Sequence, residues 1–181
     1  MAHAVVHSRA LDGVASPSVE VEVDLAGGLP ALTLVGLPET AVREAKDRVR
    51  AAIENSGFDF PTARVTVNLA PADLPKDGGR FDLPIALGIL TASGQLPAET
   101  VRDREFLGEL TLDGRLRPIR GVLAAALARD GQAQELMVPA ENAAEAAVAG
   151  RVAALGAASL NAAAAHLRGE QRLEPAQPER R

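Results

Sequence analysis

"RVTVNLAPADLPKDGGRFDLPIALGIL", residues 64–90, holds the elements on which the fold turns. Val65, Val67 and Leu69 alternate with Arg64, Thr66 and Asn68, the period-2 pattern of a half-buried strand. From Asp82 the pattern changes to a helix that is apolar almost all round, so it is expected to pack on two sides. Asp82 is expected as its N-cap, with Pro84 in the first turn and Gly94 ending it. The loop between them, residues 74–84, brings together Lys76, Asp77, Gly78, Gly79, Arg80 and Asp82. Either it does chemistry or it is a turn that resembles a chemical one.

Upstream, residues 5–11 and 18–30 read as strands, the second alternating Val19, Val21 and Val23 with Glu20, Glu22 and Asp24. Residues 31–37 read as a third strand after the Gly27-Gly28 turn, and the three suggest an antiparallel meander. Pro38 opens a helix that ends near Gly57, with Val42, Ala45, Val49, Ala52 and Ile53 on its apolar face. Glu39–Arg43 and Glu44–Arg48 are spaced to pair on the outer face, where Arg43, Lys46 and Arg50 share one side; acids interleave with these bases, so the side reads as a solvated face before a nucleic-acid patch. Downstream, residues 106–121 read as a hairpin turning at Asp113-Gly114. Helices over 122–131, 140–150 and 159–169 then alternate with strands over 135–139 and 151–156. An α+β domain over residues 1–168 follows, with helices mainly on one side of a mixed sheet. The polar, proline-bearing segment 169–181 reads as a linker or disordered tail.

Composition narrows the chemistry. Among 181 residues there are four Phe and no Tyr or Trp, so bases have almost no aromatic platform on which to stack. The net charge of −5 opposes a domain whose main work is nucleic-acid binding, and leaves room only for a local basic face. Zero Cys excludes disulfides, thiolate metal sites and a cysteine nucleophile. No signal peptide is visible and no apolar run reaches the ~18–20 residues of a membrane span, so a cytoplasmic location away from membranes is expected.

The loop fails as a P-loop, because Lys76 precedes the glycines and no Ser or Thr follows them. A backbone nest over residues 77–80 could hold an anion. Histidines are scattered at His3, His7 and His166, and four strand residues separate the first two by about 13 Å, too far to share a metal. No metal and no bound cofactor are expected, and the histidines read as exposed or capping. Asp73, Asp77 and Asp82 beside Lys76 and Arg80 read as a structural ion-pair network. The two lysines, Lys46 and Lys76, have no serine close in sequence with which to form a Ser–Lys dyad.

The strings "GGLPALTLVGLPETAVREAKDRVRAAIENSGFDFP" (27–61), residues 64–90, "EFLGELTLDGRLRPIRGVLAAALA" (105–128) and "VPAENAAEAA" (138–147) resemble one family throughout. It is the N-terminal, ChlI-type domain of the ComM/YifB family of Mg-chelatase-like AAA+ ATPases. That domain is in turn similar to the proteolytic domain of Lon-type proteases, which implies a ribosomal S5 domain 2-like fold. Against the Lon nucleophile motif P-K-D-G-P-S-A-G, Pro75-Lys76-Asp77-Gly78 agrees, Gly79 replaces proline and Arg80 stands at the serine. The second motif, G-E-I-T-L-x-G-x-V-x-P-I-G-G-L-K, aligns with the run from Gly108 to Val122, and Leu123 stands at the catalytic lysine. An arginine stays protonated and a leucine cannot act as a base, so the Lon mechanism is excluded on this alignment.

The resemblance implies a non-catalytic domain that supports assembly of a hexameric ATPase ring and handles DNA in branch migration during natural transformation. ATP and Mg would belong to an AAA+ module absent from this sequence. Arg43, Lys46, Arg50, Lys76 and Arg80 are the candidate DNA or partner contacts. Two other readings stay open: a protein-interaction module that binds no DNA, and a residual peptidase using Ser8, Ser16, Ser18, Ser56, Ser93 or Ser159.

Overall fold

The computed structural model describes residues 2–76, 78–128 and 135–178. Asp77, the nest built on it, and the end of the helix expected over 122–131 lie outside the described residues. The chain forms β1 (Ala2–Arg9), β2 (Ser18–Ala26), β3 (Ala31–Val35), α1 (Glu39–Asn55), β4 (Arg64–Ala70) and α2 (Asp82–Ala92). It continues through β5 (Arg104–Phe106), β6 (Glu109–Leu110), β7 (Leu116–Arg117), α3 (Val122–Leu127), β8 (Glu135–Pro139), α4 (Ala143–Ala147), β9 (Ala153–Ala157) and α5 (Leu160–Leu167). Seven strands make one mixed sheet in the order β3-β4-β2-β1-β5-β8-β9, and β6 pairs with β7. The fold is α+β, as expected.

The opening meander is corrected. β1 and β2 are an antiparallel hairpin, but β3 does not pair with β2. β4 lies between them, antiparallel to β2 with Val21 opposite Leu69, and parallel to β3 with Leu34 opposite Val67. The alternating pattern sets which face of a strand is buried and leaves its neighbour open. The crossover through α1 is what lets β3 and β4 run parallel.

Helix α2 is the centre of the core. All eleven of its residues are buried, as its all-round apolar pattern predicts. It lies on β1 and β2 with α1 on its other side. Gly88 permits this approach, because a Cβ there would sit 2.6 Å from Val23 Cγ2. Val49, Ala52 and Ile53 of α1 and Leu160, Ala163 and Ala164 of α5 join the same core. At the β8–β9 end, Leu136, Val138 and Ala154 face a second cluster built from α3 and α4. Successive strand residues point to opposite faces, so this end is covered on both sides and the rest of the sheet on one. Glu20 and Asp24 of β2 are exposed on the uncovered face.

Candidate functional site

The loop of residues 78–80 faces residues 118–120 across a cleft of about 210 Å³, bordered also by Leu11 and Glu109. Arg80 is only 6% exposed. Its Nε donates to the Arg9 carbonyl at 3.2 Å and its Nη1 to the Arg120 carbonyl at 3.1 Å. Its own carbonyl accepts the Gly108 N–H at 2.8 Å, and the Leu83 N–H returns to the Gly108 carbonyl at 3.0 Å. Side chain and backbone of this one residue thus tie the end of β1, the β5–β6 link and the segment after β7. A rigid planar donor fork suits two fixed carbonyls, which is arginine chemistry rather than lysine chemistry. Gly79 leaves room for Glu109, whose side chain would have to move if a Cβ stood there. Leu123 lies half-buried in the first turn of α3.

Asp82 is not the side-chain N-cap that its position suggests. Phe81 holds the capping position without a side-chain bond, and the Asp82 carboxylate reaches outward to two other elements. Oδ2 accepts Arg48 Nε at 2.7 Å and the Leu110 N–H at 3.0 Å, while Oδ1 accepts Arg48 Nη2 at 3.2 Å. Burial pushes the Asp82 carboxyl up to about 6, against the pull of Arg48 and of the Leu110 N–H. The carboxylate network expected inside the loop is therefore redrawn: Asp82 pairs with Arg48 of α1, which also meets Glu44 at 3.7 Å. Arg9 and Glu105 make another buried pair at 2.8 Å behind the cleft.

The five candidate contact residues fall into two groups. Arg43 and Arg50 are exposed on α1 and Lys46 is half-buried beside them. Arg43 and Lys46 share a shallow cleft with Glu39 and Asp47, and the Arg50 guanidinium lies 4.3 Å from the Phe60 ring centre. Lys76 and Arg80 are turned inward instead. Lys76 is 2% exposed, its Nζ donates to the Leu74 carbonyl at 3.4 Å, and burial pushes its ammonium below the ordinary lysine range against Asp73. Sequence reading passed over Arg115, Arg117 and Arg120, which are exposed on and after the β6–β7 hairpin. Nothing local marks them out from other surface arginines.

Several serines have structural partners. Ser8 Oγ donates to the Phe106 carbonyl and Ser16 Oγ to the Ala10 carbonyl, each at 2.7 Å. Ser93 Oγ donates to the Leu90 carbonyl, and Ser159 Oγ caps α5 by accepting the Ala162 N–H. His3 is exposed, but His166 is buried, which corrects the expectation of exposed or capping histidines. The ring is enclosed because α5 packs its inner face onto the sheet end.

A family model of subunit ChlI of Mg-chelatase matches residues 21–142. The chain belongs to the ChlI family. Among ChlI-type relatives, it is 55% identical to competence protein ComM of Haemophilus influenzae over 148 residues, 82% of this chain and 29% of that protein. It is 48% identical to YifB of Salmonella typhimurium over 174 residues, 96% of this chain and 34% of that protein. The chain spans about a third of the length of these relatives. It is also 31% identical to the Lon protease of Syntrophomonas wolfei over 133 residues, 68% of this chain and 16% of the protease. Among the described residues, no helix is long and apolar enough to cross a membrane.

Proposed function

We propose that this chain is a non-catalytic domain of a ComM/YifB-like ATPase, acting in the cytoplasm to support ring assembly and DNA handling in branch migration. The observation that carries the reading is Arg80. At the position where a Lon-type nucleophile would stand, the chain has a buried guanidinium bonded to the Arg9 and Arg120 carbonyls. Proteolysis would need a hydroxyl with a base beside it, and the second dyad position holds Leu123. ATP and Mg would act elsewhere in the full-length protein, in its AAA+ module. Identity to a competence protein over 82% of this chain supports the DNA side of the proposal.

The α1 face then becomes the DNA-facing surface. Arg43, Lys46 and Arg50 are the cations best placed to meet phosphates, whereas Lys76 and Arg80 stiffen the loop. Neighbouring Glu39 and Asp47 keep such binding weak and salt-sensitive. The test is the mass of the purified chain in solution, together with its binding to single-stranded and branched DNA at low and physiological salt. Self-association with salt-sensitive DNA binding supports the proposal. Association without DNA binding at any salt makes the chain a protein-interaction module. Turnover of unfolded casein, abolished by one serine substitution, would restore the peptidase reading.

A further inference from the structure

Beyond α5, the segment from Gly169 to Ala176 folds back as a strap. The Leu173 N–H donates to His166 Nδ1 at 2.9 Å, and the Ala176 N–H donates to the Ala154 carbonyl at 2.8 Å. Leu173 packs on the main core and Ala176 on the second cluster. On the other side of the ring, His166 Nε2 lies 3.2 Å from Glu135 Oε1, which Arg104 Nε holds at 2.6 Å.

These contacts define the protonation state of the ring. A backbone amide can only donate, so Nδ1 must present its lone pair to Leu173. Nε2 then carries the single hydrogen and donates it to Glu135. The strap is closed on neutral His166. A second proton would sit on Nδ1 and point at the Leu173 N–H, replacing a hydrogen bond with two opposed donors. We propose that His166 is a proton-operated catch: protonation releases residues 172–176 and uncovers the edge of β9.

The surrounding charges set the balance. Glu135 faces the ring from β8, and Arg104 of β5 pairs with the same carboxylate. Arg168, just after α5, is turned away, donating to the Gln95 carbonyl and lying 5.3 Å from the Phe58 ring centre. Arg172 and Glu174 flank Leu173 on the strap with opposite signs, and both are exposed. β9 ends the sheet, so release frees the Ala154 carbonyl on that edge.

The test uses the 181-residue chain. Nitrogen shifts of the His166 ring, protection factors of the Leu173 and Ala176 amides, and tryptic cleavage after Arg172 are followed from about pH 8 to 5.5. The expected result is the Nε2–H tautomer with protected amides at high pH. On acidification, protection at both amides falls at least about tenfold and cleavage quickens relative to an unstructured Arg-Leu peptide at the same pH, while β2 amides stay protected. His166→Asn, which keeps an acceptor near the Nδ1 position, removes the pH response. If that variant does not fold, Leu173→Pro, which lacks the N–H, leaves the Ala176 amide equally unprotected across the range. An Nδ1–H tautomer at high pH, a pH-independent wild-type strap, or an unchanged pH response in the variant that folds would overturn the proposal.

Discussion

Arg80 Nη1 donates to the Arg120 carbonyl at 3.1 Å, and this bond joins the two segments that border the cleft. The position where the Lon resemblance places a nucleophile is thereby part of the scaffold. Replacing Arg80 removes a charged donor from the buried Arg9 carbonyl and the part-buried Arg120 carbonyl. Arg80→Ala is expected to lower unfolding free energy by about 2 kcal/mol, and Arg80→Lys to recover little of it, because one ammonium cannot reproduce the fork. Urea unfolding of the two variants checks this, and a lysine variant as stable as wild type would contradict it.

The Arg48–Asp82 pair gives a pH signature. Asp82 has its folded value raised from 3.8 to about 6, so the fold favours its protonated form. The stability this contributes is fully present below 3.8 and is lost as pH rises through about 6. Removing Arg48 strands the buried carboxylate and raises its value further. Arg48→Ala is therefore expected to cost about 3 kcal/mol at neutral pH and clearly less near pH 5. Denaturant midpoints at the two pH values decide it.

Glu135 behaves with the opposite sign. Although burial opposes ionisation, Arg104 and His166 together hold its carboxyl below the ordinary 4.5. Its contribution is present above 4.5 and lost as pH falls through the lower folded value. Glu135 is part-exposed, so the effect is small, under about 1 kcal/mol. Glu135→Gln should flatten the acid limb of a stability–pH curve by that amount.

Close packing at Gly88 is testable by a double-mutant cycle. A methyl group at Gly88 would lie 2.6 Å from Val23 Cγ2, so Gly88→Ala is expected to cost about 1–3 kcal/mol. Val23→Ala in that background should relieve part of the loss, giving a non-additive cycle. Additive costs would mean that α2 shifts instead.

The legible parts of the fold were those governed by local pattern. The buried helix α2, the helix α1 after Pro38 and the Asp113-Gly114 hairpin turn all show in residue periodicity or turn chemistry. Strand order did not show, because alternation fixes a face and not a partner, and β4 took the place beside β2. The site was half legible. Family resemblance marked Arg80 and Leu123, but not that Arg80 would be buried across Arg9 and Arg120, 71 and 40 residues away in sequence. Asp82 misled for the same reason: its position fits a local cap, and a long-range pair with Arg48 won. The bond from Leu173 to His166 depends on how the end of the chain folds back, which residue types there do not encode.

The most direct test of the functional account is the salt dependence of DNA binding by the domain and by its Arg43→Glu, Lys46→Glu, Arg50→Glu variant. Each phosphate contact contributes about 0.9 to the slope of log affinity against log salt. The account predicts weaker binding by the variant at every salt concentration, with a slope shallower by up to about 3. Equal affinity and equal slope in the two proteins would contradict the assignment of α1 as the DNA-facing surface.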